Sequence, residues 1–114
     1  MLALEEIIVE TNEDLSIWAS VSVGFDDNGN LVLLMANGDC EHPVNNHETW
    51  AVVCKEDAYL FAGKMGTTLT ELPKMLSDRF RVPYGLYTPS EARSLFGDIL
   101  AFFLDSGVRY NLSE

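Results

Sequence analysis

The sequence predicts an α+β fold, with an antiparallel sheet of three to five strands packed against two or three C-terminal helices. Three observations carry this. Apolar residues recur with a period of two in the front half, and at spacings of three and four in the back half. The strands come first and the helices second, rather than alternating as parallel βαβ units would.

Ser16 to Phe25 places Ile17, Ala19, Val21, Val23 and Phe25 on one face and Ser16, Ser20, Ser22 and Gly24 on the other. That alternation predicts a half-buried strand over 16–25. Asp26-Asp27-Asn28-Gly29-Asn30 follows, and Asn-Gly between apolar runs signals a hairpin whose return strand covers 31–36. If Asn28 and Gly29 form a two-residue loop, Phe25 faces Val32, Val23 faces Leu34 and Val21 faces Ala36, giving one apolar face. The opposite face then carries Leu33, Met35 and Trp18, the last near Asp39, and is half apolar. Residues 49–54, Thr-Trp-Ala-Val-Val-Cys, are apolar at both parities and predict a central strand covered on both sides. Ile7-Ile8-Val9 suggests a further strand.

Behind Lys55, the run Ala58 to Gly66 reads as a helix over 56–65 ending at Gly66, a natural C′ residue. A strand at 58–62 is the alternative, because short apolar runs fit both periods. Thr70 can cap a helix over 71–80, with Pro73 in its first turn and Leu69, Leu72, Leu76 and Phe80 as the buried stripe. Arg81 to Tyr87 is a Pro/Gly/Tyr loop. Thr88-Pro89-Ser90-Glu91 supplies an N-cap, a first-turn proline and a capping-box acid for a helix over 89–106. Ala92, Leu95, Phe96, Ile99, Phe102 and Phe103 form its apolar stripe, and Gly107 stops it. Val108-Arg109-Tyr110 could add a short edge strand.

At 114 residues, with 47% hydrophobic and 22% charged residues, the chain fits one globular domain, 1–114. No apolar run approaches the roughly 20 residues of a membrane span. The acidic start Met1-Leu2-Ala3-Leu4-Glu5-Glu6 does not resemble a signal peptide. Two cysteines, Cys40 and Cys54, in a chain this apolar suggest thiols in a reducing, cytoplasmic setting.

Charge is distributed unevenly. Residues 1–54 hold ten acids and no Lys or Arg, whereas 55–114 hold eight acids and all seven basic residues. Such a field disfavours nucleic acid and anionic membrane and favours a basic partner at low salt. It also serves solubility and blocks edge pairing without any partner.

Few residues are arranged for chemistry. Cys40, His42 and His47 are of zinc-ligand type, but their spacing matches no standard zinc signature and no fourth ligand stands out. Cys54 ends an apolar strand, so it reads as buried and inert rather than as a nucleophile based on His47. No glycine-rich loop cradles phosphate. The sequence therefore predicts a non-enzyme with no cofactor.

Residues 58–80 resemble a helix-turn-helix pattern, with two short helices joined at Gly66. The second helix, however, opens on Glu71 where base-reading helices offer Arg, Asn or Gln. Trp18, Tyr84 and Tyr87 are aromatic residues suited to an interface. Together with Asp26, Asp27 and Glu41 they form the predicted partner-binding set. The reading is a small acidic protein-binding module, of an inhibitor-like, immunity-like or accessory kind, facing a basic protein. Its alternative is a DNA-associated regulator using residues 58–80. Whether copies of the chain self-associate is left open.

Overall fold

A computed structural model describes residues 3–10, 17–39, 46–80 and 89–113. Five strands form one antiparallel meander in the order β1-β2-β3-β4-β5. They are β1 (Ala3–Glu10), β2 (Ile17–Phe25), β3 (Leu31–Asp39), β4 (His47–Val53) and β5 (Asn111–Ser113). Helices α1 (Lys55–Lys64), α2 (Leu72–Phe80) and α3 (Pro89–Asp105) complete the α+β fold. Residues 58–62 are helical.

The hairpin register differs by one residue from the sequence expectation. Phe25 faces Leu31, Val23 faces Leu33 and Val21 faces Met35. A shift of one moves a strand's side chains to the opposite face. Leu31 and Leu33 are therefore in the core, and Val32, Leu34 and Ala36 point the other way. The cause lies in the turn. A two-residue type I′ loop needs positive φ at both central residues. Here Gly29 adopts φ +82° while Asn28 does not. Instead Gly29 N–H donates to the Asp26 carbonyl (3.0 Å) and Asp26 N–H to the Asn30 carbonyl (3.0 Å). This is a three-residue loop closed by a glycine bulge.

Asp26 sets that geometry. Its Oδ1 accepts from the backbone N–H of Asn28 and Asn30, both at 2.9 Å, and its Oδ2 accepts from Asn30 Nδ2 at 3.2 Å. Asn30 Oδ1 in turn accepts from Lys55 N–H at 3.1 Å. Cys54, the N-cap of α1, makes no capping bond of its own. The hairpin side chain thus satisfies one of the orphan donors at the start of the helix, and ties the β2–β3 turn to the helical layer.

Both helix ends at glycine follow one pattern. After α1, Thr67 N–H reaches the Ala62 carbonyl and Gly66 N–H the Gly63 carbonyl; after α3, Val108 N–H reaches Phe103 and Gly107 N–H reaches Leu104. These are Schellman closures, with Gly66 and Gly107 at φ +71° and +78°. Lys64 Nζ donates to the Ser106 carbonyl at 2.8 Å. A cation at the carbonyl end of α3 is favourable, and it joins the two helix C-termini.

The core lies between one face of the sheet and the three helices. It contains Val21, Val23, Leu31, Leu33, Ala51 and Val53 from the strands, with Ala58, Phe61, Leu72, Leu76, Ile99 and Phe103 from the helices. Phe61 meets Phe102 and Phe103 edge-on at 5.8 and 5.7 Å between centroids, the arrangement aromatic quadrupoles prefer.

Three smaller expectations are also revised. The segment before α2 is a 3₁₀ turn, Leu69–Glu71, preceded by Thr68, so Thr70 is not a cap. The last strand is Asn111–Ser113 rather than Val108–Tyr110. Strand β4 lies between β3 and this three-residue β5, and its second face is only half-buried at Trp50 and Val52. It is not a strand covered on both sides. Thr88 lies outside the described residues, and Pro89 opens α3, as a first-turn proline should.

Candidate functional site

The sheet face away from the core is the feature the fold leaves least explained. The register places Ile7, Ser22, Leu34, Trp50 and Ser113 in one row across the five strands. A second row holds Glu10, Ser20, Ala36 and Glu48, and a third pairs Trp18 with Gly38. Leu34, Ala36, Trp18 and Trp50 are half-buried, and Ile7 is 47% exposed. Toward the hairpin turn the same face closes over, with Val32 fully buried.

Local sequence explains how each tryptophan sits. Trp18 lies opposite Gly38, and its ring edge is so close that a Cβ added at Gly38 would be 3.0 Å from Trp18 Cε2 and would overlap the Asn46 carboxamide. Asn46 Oδ1 accepts from Asp39 N–H at 3.3 Å. Gly38 thus leaves the space that the Trp18 ring edge and the Asn46 amide occupy. Trp50 follows from the same alternation as its core-facing neighbour Ala51, but it points to the side that the buried residues of the helices do not reach. Its place on the open face was not legible from β4, whose run is apolar at both parities, and that Leu34 shares that face depended on the hairpin register.

Carboxylates border this face rather than fill it. Glu10 and Glu48 are exposed at the two ends of their row, roughly 14 Å apart across three strand spacings. Asp27 is exposed at the hairpin tip, whereas Asp26 is taken up by its turn bonds. One cation returns from the helical layer: the Lys55 side chain runs over the turn, close enough to touch a Cβ at Gly29.

Of the other residues singled out from sequence, Cys40, Glu41, His42, Tyr84 and Tyr87 lie outside the described residues. His47 is exposed at the start of β4. Among the described residues no cluster of three or more His, Cys, Asp or Glu could hold a metal ion. Cys54 is exposed, not buried as its apolar strand suggested. It stands one residue past the end of β4, where the chain leaves the sheet, and its thiol donates to Asp57 Oδ2 at 3.2 Å. His47 is at the other end of the same strand, roughly 20 Å away, so the two do not form a nucleophile–base pair.

Residues 58–80 hold most of α1 and all of α2, but the two helices are separated by residues 65–71, with Gly66 at φ +71° and the 3₁₀ turn Leu69–Glu71 between them. Leu72, Pro73, Leu76 and Ser77 of α2 are buried, and α2 packs on β1 and β2. Arg79 lies over the Phe102 ring, 4.4 Å from its centroid, a cation–π contact within the fold. The exposed side of α2 mixes Lys74 and Arg79 with Asp78, and Glu71 is exposed in the 3₁₀ turn before it.

No helix among the described residues is long and apolar enough to cross a membrane. Comparison with protein-family models, with curated proteins and with solved structures returns no match for this chain.

Proposed function

We propose that this chain is a small non-enzymatic protein-binding module, of an inhibitor-like, immunity-like or accessory kind, which engages a basic partner through the open face of its sheet. The observation that carries the reading is that Trp18 and Trp50 stand on one sheet face, with Glu10 and Glu48 at its sides. Tryptophan anchors protein interfaces because it buries a large area at small entropic cost. Carboxylates at a rim contribute on-rate and partner choice more than affinity. The excess of acids over residues 1–54, against none of the basic side chains, supports a partner of opposite sign.

Capture on the immobilised chain tests this. A partner retained at about 50 mM salt and depleted at about 500 mM is the expected result, since rim charges are screened at the higher concentration. Trp50→Ala should abolish retention, and Glu10→Lys with Glu48→Lys should weaken it. Arg93→Ala, on exposed α3, serves as the control. Equal retention by the Trp50 variant and the wild type would remove the sheet face from consideration.

A further inference from the structure

A second surface, on the helical layer, carries a pattern that the sheet-face reading does not use. Helix α1 buries Ala58, Phe61 and Ala62. Its opposite side shows Tyr59 and Leu60, 67% and 63% exposed, between Glu56 near the N-terminus and Lys64 at the C-terminus. Glu56, Leu60 and Lys64 follow one another at intervals of four and form one ridge, roughly 12 Å long. Gly63 lies on the same side, and a Cβ placed there would meet nothing within 4 Å, so another backbone can approach closely. Beside the ridge is an open, largely apolar depression of about 450 Å³ lined by Lys55, Glu56, Tyr59, Leu60 and Leu69.

We propose that α1 is a self-association face, on which a second copy of this chain packs antiparallel across a two-fold axis at Leu60. The order of charge along the ridge selects this occupant. It reads acid, leucine, base, so a reversed copy sets Glu56 against Lys64 of its mate twice over and brings the two Leu60 side chains together. Along the ridge itself a strongly charged foreign partner meets one acid and one base and gains from neither. In a two-fold contact the same patch must complement itself, and here a protruding Tyr59 and a neighbouring depression occur on one surface. Antiparallel helices also align their dipoles favourably. Lys64 already donates to the Ser106 carbonyl, so its ammonium is fixed at the C-terminal end of the ridge rather than free to wander. The face is separate from the sheet surface proposed above, and the two readings stand or fall independently.

Sedimentation equilibrium of the full chain tests this, from about 10 μM to about 1 mM, the concentration span of weak interfaces. Salt of about 0.15 M screens the overall negative charge while leaving contact pairs in force. A reversible dimer is expected, with Leu60→Asp monomeric throughout. Glu56→Lys and Lys64→Glu should each weaken it about tenfold, since like charges then meet at both ends. Mixing the two charge variants should restore association, because each supplies the charge its mate now lacks. Circular dichroism confirms that each variant is folded, and the outcome for Leu60→Asp does not depend on Lys64. A wild type that stays monomeric at 1 mM overturns the proposal. So does a dimer indifferent to Leu60→Asp, or a mixture of folded charge variants that associates no better than either alone.

Discussion

The two faces of the sheet use the same alternation and come to different ends. On one, Val21, Val23, Leu31, Leu33 and Val53 are fully buried beneath helices whose phenylalanines meet edge to face. On the other, Leu34 and the two tryptophans stay half-buried and Ile7 is 47% exposed. A sheet needs one covered face to be stable; apolar residues retained on the second face call for another reason. The comparison teaches that adjacent residues of a single strand can meet opposite fates, one locked in the core and the next left half-open.

Leu33 and Leu34 make that contrast sharpest, and the largest effects are expected there. Leu33→Ala should cost about 2–5 kcal/mol in urea denaturation, as for a fully buried leucine, and Leu34→Ala less than about 1.5 kcal/mol. Equal losses, or a reversed order, would mean that the register is the other one and that the faces have been exchanged. Next in size is Gly38→Ala. Its methyl would displace the Asn46 amide and press on the Trp18 ring, for an overpacking cost of about 1–3 kcal/mol. Tryptophan fluorescence should shift with it; an unchanged spectrum would show that the ring does not depend on Gly38.

Asn30→Ala probes the link between the open hairpin and the covered layer. Losing the acceptor for Lys55 N–H and the donor to Asp26 should cost about 1 kcal/mol, read by thermal denaturation. Faster amide exchange at the start of α1 should accompany it. The smallest effect has the opposite sign. Ser77 is buried in α2 with its hydroxyl unbonded among the described residues, so Ser77→Ala should leave stability unchanged or raise it by up to about 1 kcal/mol. A loss of more than that would reveal a hydrogen bond at this hydroxyl.

Much of the fold was legible because its signals are local. The helix-ending glycines need only their own φ and two backbone bonds, and Gly66 and Gly107 are recognisable from composition and spacing. The α3 stripe from Ala92 to Phe103 follows from a repeat of three and four. The hairpin was legible in kind but not in register. Asn28-Gly29 fits a two-residue loop as well as a three-residue one, and the Asp26 carboxylate, by gathering two backbone N–H groups and the Asn30 amide, decides between them. The exposure of Cys54 was hidden for a related reason: apolar neighbours in sequence do not bury a residue at the point where the chain leaves the sheet to begin a helix. Of the candidate surface, Trp18 was recognisable as a misfit on a polar strand face. Trp50 was hidden in a run apolar at both parities.

The amino-acid sequence by itself determined the class of this protein, the order of its elements and the concentration of acid in its front half, since periodicity, capping residues and charge act over a few residues or over none. Only the tertiary structure decided which face of each strand is covered, because that depends on a one-residue choice in the hairpin and on which side the helices dock. The same packing brings Trp18, Leu34 and Trp50, distant along the chain, onto one surface, and turns Tyr59 and Leu60 outward on a helix whose Ala58, Phe61 and Ala62 belong to the core.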